Sequence, residues 1–158
     1  MAIDLFLKIE GITGESRDAR HKGEIDLLSF SWGEQESGHP TGGGGGGGKV
    51  SFQDLQFTSS VNKASPHLFL ACASGRHFPK ATLTARRAVG GQDFLKLTFQ
   101  DVLVSSFHDG GAASSDAPVD QVSLNFGKVT FEYVAQRPDG KVDTPVIAGW
   151  NVVQNRSL

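Results

Sequence analysis

A hydrophobic alternation with a period of two runs along most of this chain and leaves little room for any fold not built from β-strands. It is sharpest within residues 14–33, GESRDARHKGEIDLLSFSWG. Side chains alternate across a strand, so Asp26, Leu28, Phe30 and Trp32 share one face and Ile25, Leu27, Ser29 and Ser31 the other. The aromatic half of the first face is expected in a core. The two serines behind it are expected to meet water or a polar partner.

The same period recurs at residues 3–9, 78–86, 95–100, 121–126, 129–133 and 146–152. Parity breaks between Phe52 and Leu55, which predicts a bulge there. One segment, 65–75, reads as a helix: Ser65 is its expected N-cap, Pro66 fits the first turn, and Gly75 fits the left-handed position after the last turn. It is apolar nearly all round and is expected to press into the sheets. Breaks between strands are expected at 11–23, 37–49, 109–118 and 137–144. The seven consecutive glycines 42–48 carry the largest entropy cost of ordering and are expected to be mobile. Many short strands with one helix point to a mainly β barrel or sandwich.

Length and charge narrow the partners. A chain of 158 residues is long enough for one domain, 1–158, with a real core. A net charge of -2 gives no reason to expect nucleic acid or an anionic membrane. The nearest basic cluster, Arg17, Arg20 and Lys22, is interleaved with Glu15, Asp18 and Glu24. No stretch approaches the roughly 20 apolar residues of a membrane span. MAIDLFLKIE reads as a first strand and not as a signal peptide. The single cysteine, Cys72, rules out an internal disulfide and fits synthesis in a reducing compartment.

Several patterns imitate chemistry. Gly43-x4-Gly48-Lys49 has the outline of a phosphate loop, but Val50 follows where a hydroxyl must ligate magnesium, and a strand leaves where a helix should. Cys72 between His67 and His77 lacks a third group to orient a base, so it reads as a small hydrophobe. His21, His39, His67, His77 and His108 have no metal-ligand spacing. His108-Asp109, ahead of Gly110-Gly111, reads as a turn and not as a dyad. Ser29 and Ser31 have no base arranged around them. No catalytic residue, cofactor or metal is expected.

The GES-start charged loop, the acidic-Ile-Asp that follows and the Ser-Trp-Gly strand end closely resemble the Hcp family of bacterial type VI secretion. KVSFQDLQFTSSVNKASPHLFLACASGRHFPKATLTARRAVGG, DVLVSS, VSLNFGKVTFEY and GWNVVQN resemble family blocks in family order, over nearly the whole chain. The resemblance implies two antiparallel sheets closed into a β-barrel with one short flanking α-helix. It implies a non-enzymatic tube subunit that forms homohexameric rings stacked into a tube. The tube would assemble in the cytoplasm within a sheath and be secreted with a spike through the type VI apparatus, effector proteins bound in its lumen. Ser29 and Ser31 would then lie on the lumen wall against effectors. Glu15, Arg17, Asp18, Arg20 and Lys22 would serve ring stacking. Phe30, where relatives often carry tryptophan, and the glycine-rich 37–49 depart from the pattern. The alternative is a small β-barrel binding module for a peptide or carbohydrate, which needs a cluster of exposed aromatics.

Overall fold

One strand of 18 residues ties the molecule together. The computed structural model describes residues 2–38 and 49–158, so the polyglycine run lies outside the described residues. In chain order the elements are β1 (Ile3–Ile9), β2 (Ile25–Leu27), β3 (Ser29–Gln35), β4 (Ser51–Ser60), α1 (Ser65–Ser74), β5 (His77–Arg87), β6 (Asp93–Gly110), β7 (Val119–Asn125), β8 (Lys128–Tyr133), β9 (Val146–Asn151) and β10 (Arg156–Ser157). All pairings are antiparallel.

The long strand β6 belongs to two layers. Its first half lies between β5 and β8, in the order β10-β9-β8-β6-β5-β1-β2, and its second half pairs with β7, which continues to β4 and β3. The handover falls between Gln100, opposite Lys128, and Leu103, opposite Asn125. Asp101 sits at that corner with φ 55, a left-handed conformation that aspartate tolerates better than most side chains. Because β6 pairs as far as Gly110 opposite Val119, His108 and Asp109 lie in the strand and not in the expected turn.

The expected single strand through 25–32 is two strands. β2 pairs β1 and β3 pairs β4, and the path of paired strands ends at β2 without closing into the expected barrel. The cause is local. Leu28 donates its N–H to the Thr58 carbonyl, and Ser29 is registered opposite the same Thr58. Two residues therefore face one, as in a bulge, and the side chains change faces there. Before the bulge Ile25 and Leu27 are buried; after it Phe30 and Trp32 pack on the core, while Leu28 is 59% exposed. The predicted parity break in β4 is present too: Ser31 faces Gln56 but Gly33 faces Gln53.

The core lies between the layers, with Leu7, Leu55, Phe57, Phe78, Leu83, Leu97, Phe99 and Leu124 all buried. Trp32 meets Phe99 edge-on at 6.0 Å between centroids. The helix closes one end of this core with Leu68 and Ala71. Gly75 is left-handed as expected, but the cap at the other end is Ala64, not Ser65. The Ser65 hydroxyl is engaged elsewhere, by Asp120, and Asn62 supplies the oxygen that accepts from the Ala64 N–H. Nor is the helix sunk on all sides, since Phe69 and Leu70 are exposed.

Candidate functional site: a polar wall and a clamped loop

The outward face of β3, β4, β7 and the second half of β6 is a wall of small uncharged polar groups, ordered in rows by strand register. In one row Ser31 lies opposite Gln56, Gln56 opposite Ser123, and Ser123 opposite Ser106. In the next, Ser29 lies opposite Thr58, Thr58 opposite Gln121, and Gln121 opposite His108. Between them, on the inner face, run Phe30, Phe57, Val122 and Phe107, all packed in or against the core.

The wall is internally bonded. The hydroxyls of Ser29 and Thr58 share a hydrogen bond of 2.6 Å, and Ser106 donates to Ser123 at 2.8 Å. Together the rows line a shallow concavity open to solvent. At its border Asp54 accepts hydrogen bonds from Ser105 and, at 2.9 Å, from Asn125. No hydroxyl on the wall bonds to a base: Ser29 pairs with Thr58 and Ser106 with Ser123, and His108 stands two residues along β6 from Ser106, about 7 Å at the usual strand rise. The chemistry open to this face is hydrogen bonding to a polar surface.

Sequence alone singled out Ser29 and Ser31, and both are exposed here as expected. It showed Gln121 and Ser123 only as the polar half of an alternating strand. Gln56, Thr58, Ser106 and His108 join the wall through pairing register, and bulges in β4 and β6 hide that register from simple parity.

The charged loop between β1 and β2 is not a free strap. Gly14 donates to the Gly23 carbonyl at 2.7 Å and Ser16 to the Glu24 carbonyl at 2.9 Å, so the loop folds back as a narrow pair of arms. Its tip is closed by Asp18, which accepts from the backbone N–H of Arg20 and of His21 at 3.0 and 3.2 Å. Arg86 of β5 grips Asp18 at 2.5 Å and Asp4 at 3.1 Å, and its guanidinium lies over the Phe6 ring. The Arg86 side-chain bond holds the Asp18 carboxyl below its usual range. Beneath the tip, His21 stacks on Phe6 at 4.3 Å and reaches Glu24 at 2.9 Å and Asp93 at 3.2 Å.

Of the five predicted loop residues, Asp18 is therefore committed within the chain, and Arg20 donates to the Gly91 carbonyl. Glu15, Arg17 and Lys22 are exposed. Arg86 lies 68 residues from Asp18, Asp93 72 from His21, and Asp4 82 from Arg86, beyond what local spacing signals.

Residues 6–133 match the family described as "Type VI secretion system effector, Hcp". The chain belongs to the Hcp family. It is 47% identical to Protein hcp1 of Pseudomonas aeruginosa over 159 residues, covering 98% of each chain. The crystal structure of Hcp1 from Salmonella typhimurium superposes with a TM-score of 0.86 at 39% identity, over 100% of both chains. A type six secretion system protein reaches 0.92 at 31% identity, covering 99% of this chain and 100% of its own. The Hcp match spans the wall and the whole loop between β1 and β2, and of the clamp it leaves out Asp4.

Proposed function

We propose that this chain is the structural, non-enzymatic subunit of the type VI inner tube. Six copies close head to tail into a ring, rings stack, and the polar wall lines the lumen where effector proteins are carried. The observation that carries this reading is the wall itself: eight residues on four strands, none an acid, lysine or arginine. Such a face hydrogen-bonds to many polar surfaces without selecting strongly by charge. The tube would assemble in the cytoplasm and leave with sheath and spike partners of the apparatus. No helix among the described residues is long and apolar enough to cross a membrane.

Exposed apolar side chains support ring closure. Phe131, Tyr133 and Val146 lie on one face of β8 and β9, the face of a groove lined by Trp32, Phe52, Val129, Phe131 and Trp150. An exposed apolar patch of this kind is normally covered, and a neighbouring copy in a closed ring covers it without leaving an end.

The same aromatic groove is the one observation favouring a small binding module for a peptide or carbohydrate. Native mass spectrometry with electron imaging separates the two. Six-membered rings with an open centre are expected, whereas a monomer at micromolar concentration would overturn the tube reading and favour the module.

A further inference from the structure

We propose that His108 is a cargo-recognition residue, giving the polar wall a switchable positive charge that favours polypeptide surfaces rich in carboxylates. This rests on the reading of the wall as a lumen surface. The register puts His108 at the end of the Ser29–Thr58–Gln121 row, exposed and on the same concavity. Among the eight wall residues it is the only ionisable one. Histidine is the side chain that ordinarily changes charge between about pH 5 and 8, and when protonated it offers two N–H donors.

On its own strand the neighbouring acid is Asp109, which is exposed and lines a cleft with His108 and Gln121, while its register partner Asp120 is buried. Gln121 faces His108 from β7. On β4 the nearest acid in register is Asp54, beyond the Ser31–Gln56 row and already accepting from Ser105 and Asn125. The helix packs on the opposite face through Phe69 against Phe107, and its one ionisable residue other than Cys72 is His67. A carboxylate arriving on the wall thus finds neutral donors along the rows and, at their end, one donor that becomes charged. Charge-assisted hydrogen bonds are the stronger kind, so protonation raises the affinity for acidic cargo above that for neutral cargo. In a ring of six the effect repeats around the lumen.

The test uses two fluorescent peptides, one glutamate-rich and the other its glutamine counterpart, titrated into assembled rings at about pH 6 and about pH 8. The glutamate peptide is expected to bind wild-type rings about threefold to fivefold tighter at the lower pH, the range of an exposed charge pair. His108→Gln should abolish that difference, and His108→Lys should bind the glutamate peptide tightly at both pH values. The glutamine peptide should not respond. A pH preference that survives in His108→Gln, or no binding of the glutamate peptide at the lower pH, overturns the assignment. Ser31→Gln distinguishes the underlying reading: weaker binding of both peptides in that variant keeps the wall as the cargo surface even if His108 proves silent. Unchanged binding of both removes the lumen reading itself.

Discussion

The Ser65 hydroxyl donates to the Asp120 carboxylate in a site closed to solvent. Across the β4–β7 ladder, Ser59 lies opposite Asp120, and both are fully buried. The second Asp120 oxygen and the Ser59 hydroxyl have no hydrogen-bond partner among the described residues. A charged carboxylate is costly in such a place. Burial pushes the Asp120 carboxyl above its usual range; the Ser65 bond opposes the shift and the Asp109 charge adds to it.

That relationship fixes a pH dependence. With its pKa raised, Asp120 holds its proton more tightly in the folded chain than in the unfolded one. Its contribution is complete below the unfolded value of about 3.9 and is lost as pH rises through the folded value. Asp120→Asn keeps an acceptor for Ser65, adds a donor towards Ser59, and should flatten this slope in denaturant titrations from acid to neutral pH. Asp120→Ala removes the acceptor of the Ser65 O–H, leaving the hydroxyl only the Asn62 N–H it accepts, and should cost about 1–3 kcal/mol. A slope unchanged in the asparagine variant would place the titrating group elsewhere.

Gly14 and Gly75 should respond differently to alanine. At Gly75 φ is 70 and an added Cβ meets nothing, so the cost is conformational, about 1 kcal/mol. At Gly14 a Cβ would press on the Glu24 carbonyl and stand 2.8 Å from Ile25 Cα, backbone that cannot swing aside. Gly14→Ala is therefore expected to be the more damaging, at about 1–3 kcal/mol from overpacking. Thermal melts of the two variants check the order.

Much of this was legible in the sequence, because the period of two survives wherever a strand has one wet face. Ser29 and Ser31 are exposed as the alternation implied, and the β4 bulge announced itself in the spacing of Phe52 and Leu55. What stayed hidden depends on long-range partners. Leu28 is a large apolar residue in an apolar run, and only the Thr58 carbonyl it binds explains why the chain changes faces there. Ser65 has the chemistry of an N-cap, but a buried carboxylate 55 residues away claims its hydroxyl. Asp18 looked like a free surface charge because nothing near it in sequence reveals Arg86.

The Arg86 clamp should open in acid. Asp18 is more acidic in the folded chain than in the unfolded one, so the clamp's contribution is present above about pH 3.9 and lost as pH falls through the lowered folded value. Hydrogen exchange of the Ser16, His21 and Gly23 amides should quicken over that interval. Arg86→Gln should make exchange fast at neutral pH, while the β5 core amides remain protected. Equal protection of the loop in wild type and variant would show that the backbone arms hold it without the guanidinium.

We propose that the exposed loop charges serve ring stacking, and the clamp decides which variants test it. Arg17→Ala combined with Asp18→Ala would also release Arg86 and loosen the loop, so a loss of tubes could be traced to either cause. Arg17 and Lys22 are exposed, and a double alanine variant at those positions leaves the Asp18–Arg86–Asp4 contacts in place. Exposed ion pairs contribute about 0–1 kcal/mol each, too little to hold a subunit interface alone. Repeated around a ring, such pairs can still set the register between two ring faces. They are also screened beyond a Debye length of about 8 Å at physiological ionic strength. The double variant is thus expected to keep six-membered rings in sedimentation while shortening tubes in electron images, and wild-type tubes should shorten in the same way as salt is raised. Collapse of the double variant to monomers would move the loop from the stacking face to the ring interface.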